Sequence, residues 1–154
     1  MKQVVPAYIA GLADSDGSFT ITIMKPKRPT PYYRSTFQLG WKKSDKALLT
    51  LEQIKTKYGG SISEFKSTSN INEGILVVKY FLSGAKLVTF IKDCLPFLHL
   101  KRSQARLILF LESSRKEKHG RNKRKPIKIK EYQHGLYLKI KSLNTKNSGS
   151  RCKS

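Results

Sequence analysis

Apolar and polar residues change their period several times along this chain, and each change marks a predicted element. From Tyr8 to Ala13 apolar and small residues crowd together, and the run ends in Asp14-Ser15-Asp16-Gly17. Pro6 suits the first turn of a helix, where its missing N–H lies among amides that have no partner, and Gly17 predicts a left-handed close after the last turn. Phe19-Thr20-Ile21-Thr22-Ile23-Met24 then alternates with period two, as a half-buried strand does. Pro26, Pro29 and Pro31 mark a turn tipped by Lys25, Lys27 and Arg28. A second strand follows from Tyr32 to Trp41, with Phe37, Leu39 and Trp41 on its core face.

Helical spacing returns at Leu48, Leu51, Ile54 and Tyr58, which predicts a helix over 45–58 with Ser44 as its cap and Gly59-Gly60 as its stop. Residues 61–66 and 75–82 read as a second strand pair around a polar loop. Val77-Val78 and Phe81-Leu82 interrupt the alternation there, so the pattern assigns no outward face and no base-reading residue. A short helix over 83–94 packs through Leu87, Phe90 and Ile91. The order helix, two strands, helix, two strands, helix is that of an α+β chain. Beyond it lie a basic stretch over 115–130, a helical pattern over 132–143 carried by Leu136, Ile140 and Leu143, and an end that reads as frayed from Asn144. The division expected is a core over 1–114, a basic helical extension over 115–144 and a flexible tail over 145–154.

A length of 154 residues is enough for one domain with a real core. The formal net charge of +21 changes the picture, because self-repulsion on that scale calls for an anionic partner. Nucleic acid leads, although charge alone also suits a ribosomal or membrane-surface protein. Cys94 and Cys152 are too few and too far apart for a disulfide framework or a zinc cluster, and both are expected reduced. His99, His119 and His134 lack metal spacing and read as surface or phosphate-contacting residues. No apolar run is long enough to span a membrane and the first residues lack the signal-peptide pattern. An intracellular setting is therefore expected, in an organelle or the cytoplasm or nucleoid according to the host.

The aspartates carry the candidate chemistry. At the C-terminal end of a helix a carboxylate meets the negative end of the dipole, so a positive group is needed beside it. Mg2+ fits, since it takes carboxylate and carbonyl oxygens. The alternative makes Asp14 and Asp16 turn residues bonded to nearby backbone. Ala10, Gly11 and Ala13 are small enough for a second copy of the helix to approach, which would put Tyr8, Ala10, Gly11, Ala13 and Asp14 at a two-fold interface. On the strands, Thr20, Thr22, Arg34, Thr36 and Gln38 share the polar face and are candidates for reading base edges in a major groove, with Met24 and Tyr32 as further DNA-contacting candidates. Lys25, Lys27 and Arg28 at the turn, and Arg121, Lys123, Arg124 and Lys125 in the basic stretch, are candidates for neutralising phosphates. Polar alternation also serves simply to keep one side of an antiparallel sheet wet.

Ile9-Ala10-Gly11-Leu12-Ala13-Asp14-Ser15-Asp16-Gly17 resembles the signature of the LAGLIDADG homing endonucleases, and the strand after it fits that context. The segment over 95–105, with Lys101, resembles a second family segment before a C-terminal helix. The resemblance implies an αββαββα core whose four-stranded antiparallel sheet forms a saddle over DNA. It implies that Asp16 binds the catalytic metal, that the Ser15 backbone carbonyl joins it, and that Asp14 has a less uniform role. Lys101 and Lys42 match positions of active-site lysines, while Trp41 falls where the family often has glutamine. A single copy of the motif implies a homodimer that cuts both strands of a long, pseudo-palindromic duplex site with Mg2+. The break would leave 3' overhangs, and the setting would be a mobile intron or intein. A non-cleaving intron RNA maturase and a structural RNA-binding protein remain the alternatives; the second leaves Asp14-Ser15-Asp16-Gly17 unexplained.

Overall fold

Pro6 opens the first helix as the sequence predicts: α1 spans Pro6–Ser15, with Val5 extended ahead of it. The structure, a computed structural model, describes residues 4–24, 32–68, 73–116 and 127–148. Gly17 departs from expectation. Positive φ among the described glycines falls at Gly59, Gly60, Gly74 and Gly84, not at Gly17. Space rather than φ requires glycine there, because a Cβ would lie 2.6 Å from the Ala13 carbonyl oxygen and 2.7 Å from the Phe37 ring. The Gly17 N–H donates to Leu12 O at 3.3 Å and Ala13 O at 3.1 Å, turning the chain tightly into the sheet.

Strands β1 (Ser18–Met24) and β2 (Tyr32–Lys42) pair antiparallel, with Thr20 opposite Thr36 and Thr22 opposite Arg34. Helix α2 (Asp45–Tyr58) starts where Ser44 Oγ accepts the Ala47 N–H at 3.1 Å, and it stops at Gly59 and Gly60, whose φ values of 76° and 93° admit glycine readily. Strands β3 (Ser61–Lys66) and β4 (Leu76–Ser83) complete a four-stranded sheet of order β1-β2-β4-β3, antiparallel throughout. Helix α3 (Ala85–Cys94) follows.

The register settles what alternation left open. Val78, Tyr80 and Leu82 are buried, so Val77, Lys79, Phe81 and Ser83 take the other face. Among the described residues the helices pack on the first face. There the Phe37 ring lies 4.8 Å from that of Phe19 and 4.6 Å from that of Phe90, centroid to centroid. Each such ring contributes about 2–3 kcal/mol by leaving water. Cys94 is buried in the same core, and burial pushes its thiol up to about 12.

A 3-10 turn over Leu95–Phe97 leads to α4 (Arg102–Lys116), and α5 spans Ile127–Ser148. The last helix is longer at both ends than its apolar pattern predicts. Polar contacts dock it: Asn144 Nδ2 donates to Phe19 O at 3.0 Å, Gln133 Nε2 to Ser114 Oγ at 2.9 Å, and His134 Nδ1 lies 2.8 Å from Tyr33 Oη. Asn144 is thus an anchor rather than the start of a frayed end, and His134 bonds within the fold. On α4 the buried Glu112 accepts from Ser35 Oγ and, at 2.8 Å, from Arg115. No described helix is long and apolar enough to cross a membrane. Cys152 and His119 lie outside the described residues.

Candidate active site

The two aspartates that end α1 are two residues apart, and the structure gives them different work. Asp14 turns toward the segment before α4, where Oδ2 accepts the His99 N–H at 2.7 Å and Oδ1 accepts the Lys101 N–H at 3.0 Å. Its carboxylate caps amides that have no helical partner. Asp14, expected both as a metal contact and at the interface, is committed to this cap instead. Lys101 sends its ammonium the other way, to Ala13 O at 3.0 Å, to Ser15 O at 3.4 Å and to Gly17 O. The positive group demanded by the helix terminus is therefore present within the chain. Burial holds the Lys101 amine below the usual lysine range, an effect that the nearby Asp14 and Asp16 charges oppose.

Asp16 is exposed. The Trp41 indole N–H donates to its Oδ2 at 3.0 Å, and Ser15 Oγ, whose hydroxyl also reaches Leu12 O at 3.1 Å, lies 3.3 Å from the same oxygen. With Ser18, Gln38, Gly40, Val77 and Lys79, Asp16 lines a hollow on the helix-free face of the sheet. Lys42 is exposed at the end of β2, in register with Val77 of that hollow. Lys43 pairs with Glu64 at 2.6 Å on the surface, where such a pair is worth little.

Thr20, Thr22, Met24, Tyr32, Arg34, Thr36 and Gln38 do share the open face, as their alternation predicts. Thr20 and Thr36 join hydroxyls at 2.7 Å, and Arg34 reaches Ser83 on β4 at 3.5 Å. Lys25, Lys27, Arg28, Arg121, Lys123, Arg124 and Lys125 lie outside the described residues. Sequence reasoning missed the contribution of β4. Lys79 stands on the open face with its ammonium 5.0 Å from the Phe65 ring centre and 6.0 Å from that of Phe81. The strict alternation of Val78, Tyr80 and Leu82 was the signal; the apolar Val77 and Phe81 on the open side obscured it.

Small residues on α1 face two ways. Ala10 and Ala13 are wholly buried against the chain's own core, so the expectation that they meet a second copy does not hold. They let α1 settle onto α3 and the 3-10 turn. Tyr8, Gly11 and Ser15 form the exposed stripe instead, at helical spacing, with Tyr8 53% exposed and nothing within 4 Å of a Cβ placed on Gly11.

For a cation, this terminus offers the exposed Asp16 carboxylate and the neighbouring Ser15 carbonyl, a hard donor set that suits Mg2+ or Ca2+. The Lys101 contact to Ser15 O is long enough to leave a lone pair of that carbonyl open. Among the described residues no group of three or more His, Cys, Asp or Glu side chains is placed to hold a metal. One chain thus offers part of a coordination shell.

A sequence profile described as LAGLIDADG endonuclease matches residues 9–103. A comparison with curated proteins finds no significant match. Among solved structures, the homing endonuclease I-CvuI in complex with its target in 2 mM Ca superposes with a TM-score of 0.69 at 21% identity, over 90% of this chain and 80% of that one. A second structure of I-CvuI, with the I-CreI target in 2 mM Mg, holds DNA that is not cleaved. The homing endonuclease I-TnaI matches at a TM-score of 0.57 and 16% identity, over 94% of this chain and 99% of its own. A K262A mutant of I-SmaMI matches at 0.58 and 23% identity over 90% of this chain, which spans 44% of that longer protein. At these identities the structures establish the shared fold.

Proposed function

Because this chain belongs to the LAGLIDADG endonuclease family, we propose that it is a site-specific DNA endonuclease that works as a homodimer with Mg2+. The observation that carries the reading is Asp16: an exposed, oriented carboxylate at the rim of an open, cationic sheet face. A protein that only binds nucleic acid gains nothing from an anion there, since phosphates would be repelled.

The open face of the four strands would lie along the duplex. Arg34 and Lys79 would neutralise phosphates, while Thr20, Thr22, Thr36 and Gln38 would present short polar groups to base edges. The exposed α1 stripe of Tyr8, Gly11 and Ser15 would meet its own copy across a two-fold axis, bringing two Asp16 side chains together and placing one beside each strand. Asp16 and the Ser15 carbonyl would hold the cation, with the partner copy and DNA oxygens completing the shell. When bound, the cation supplies charge stabilisation at the scissile phosphate and a more acidic water. Lys101 would keep the terminal carbonyls of α1 neutralised and fixed, so that Ser15 O and Asp16 keep their places as DNA arrives.

The test is a cleavage selection on a randomised duplex library with Mg2+, run beside Asp16→Asn and beside Ca2+ in place of Mg2+. Recovery of a long, roughly two-fold site cut only by the wild type supports the reading. Tight, salt-sensitive binding with no cut, the same for both proteins, refutes it and brings an RNA-binding role forward.

A further inference from the structure

The chain has a single tryptophan, and its indole N–H points at the one carboxylate assigned to the chemistry. We propose that Trp41 is a positioning residue for Asp16: it fixes the rotamer of that carboxylate and directs the other oxygen, Oδ1, toward a divalent cation. The inference rests on the metal-dependent reading of Asp16 and adds a residue to it.

Three observations carry it. Trp41 continues the buried face of β2 set by Phe37 and Leu39, and its ring is half-buried against the core, so the donor is held by packing before any ligand arrives. Asp16, by contrast, is exposed and follows the last turn of α1, where a carboxylate on its own would sample several rotamers. Finally, the Trp41 Nε1 donor bonds to Oδ2, and Ser15 Oγ lies 3.3 Å from that same oxygen. That leaves Oδ1 as the oxygen available for a cation.

The chemistry of the donor matters. An indole N–H donates and has no lone pair to offer, so it orients Asp16 without competing to become a ligand. A glutamine at this position would both donate and accept. Hydrogen-bond partners behind a ligating carboxylate typically change metal affinity by about 10–100-fold when removed. Trp41→Phe keeps a ring in the packed site and deletes only the donor end, whereas Trp41→Gln restores an N–H without the ring.

The test adds Mn2+ to the full chain bound to the selected duplex site, with free Mn2+ counted by electron paramagnetic resonance and the ion taken up by the duplex alone subtracted. In the wild type, quenching of the sole tryptophan by this paramagnetic ion gives a second readout. The expected result is saturable binding with quenching that Asp16→Asn abolishes, about tenfold weaker binding in Trp41→Phe, and recovery of most of that loss in Trp41→Gln. Equal affinity of Trp41→Phe and the wild type overturns the inference while leaving the reading of Asp16 intact. So does an equal loss in Trp41→Phe and Trp41→Gln accompanied by a drop in thermal midpoint, which is the signature of packing alone. Binding that survives Asp16→Asn unchanged, or no saturable binding by the wild type, overturns the reading itself, and the inference with it.

Discussion

Asp14 and Lys101 hold each other head to tail. The Lys101 main-chain N–H donates to the Asp14 carboxylate at 3.0 Å, while the Lys101 ammonium bonds the carbonyls of Ala13 and Ser15 on either side of Asp14. This clamp joins the end of α1 to the start of α4 and sets where Asp16 stands. Asp14→Asn and Lys101→Met should each cost about 1.5–3 kcal/mol of stability, the range for hydrogen bonds with a charged partner. Because the two residues share one clamp, the double variant should lose less than the sum. Urea unfolding of the four proteins checks both statements.

Cys94 makes stability depend on alkaline pH. Its thiol has a reference value of 9.0 when exposed, and burial pushes it up to about 12 in the fold. The folded chain therefore keeps a proton that the unfolded chain releases, and stability falls as pH rises above that reference value. From pH 8 to pH 10 the wild type should lose about 1.4 kcal/mol more than Cys94→Ala, because titrations shared by both proteins cancel in the difference. Denaturant midpoints at the two pH values measure it.

The two kinds of small residue on α1 should respond differently to bulk. A Cβ on Gly11 meets nothing within 4 Å, so Gly11→Arg should fold normally yet stop two copies from associating. Ala10 is wholly buried, so Ala10→Arg should unfold the single chain by placing a charge in the core. Sedimentation and circular dichroism, read together, separate the two outcomes.

Arg34 and Lys79 stand on the open face, whereas Lys55 pairs with Glu52 on α2, across the sheet from it. Removing either of the first two should weaken duplex binding and reduce the slope of log affinity against log salt by about one. Lys55→Ala should leave the slope unchanged. Fluorescence anisotropy over a salt series gives the numbers.

Much of this was legible in the sequence because local signals agreed with the tertiary fold. Pro6, Ser44 and Gly59 mark helix ends by backbone chemistry, and Phe19, Ile21, Phe37 and Leu39 mark a strand pair with one buried face. What escaped were relationships that span the chain. Nothing in Asp14-Ser15-Asp16 says which carboxylate turns inward, because the amides that capture Asp14 come from His99 and Lys101. Trp41 stands out in the sequence only as a departure from the family's usual glutamine, since its bond to Asp16 joins residues far apart along the chain. Small side chains alone did not reveal that Ala10 and Ala13 serve the internal core while Gly11 stays open. Asn144 was read as the start of a loose end because its anchor is a single bond to Phe19 O, which no periodicity encodes.

In the proposed function Asp16 does the chemistry and Asp14 holds the scaffold. Single-turnover cleavage of the selected duplex site, measured with Mg2+ for wild type, Asp14→Asn and Asp16→Asn beside their thermal midpoints, tests it most directly. Asp16→Asn should keep the wild-type midpoint and DNA affinity but cut about a hundred- to a thousandfold more slowly. Asp14→Asn should lower the midpoint and retain cleavage below it. An Asp16→Asn protein that cuts at the wild-type rate would show that Asp16 does not carry the chemistry.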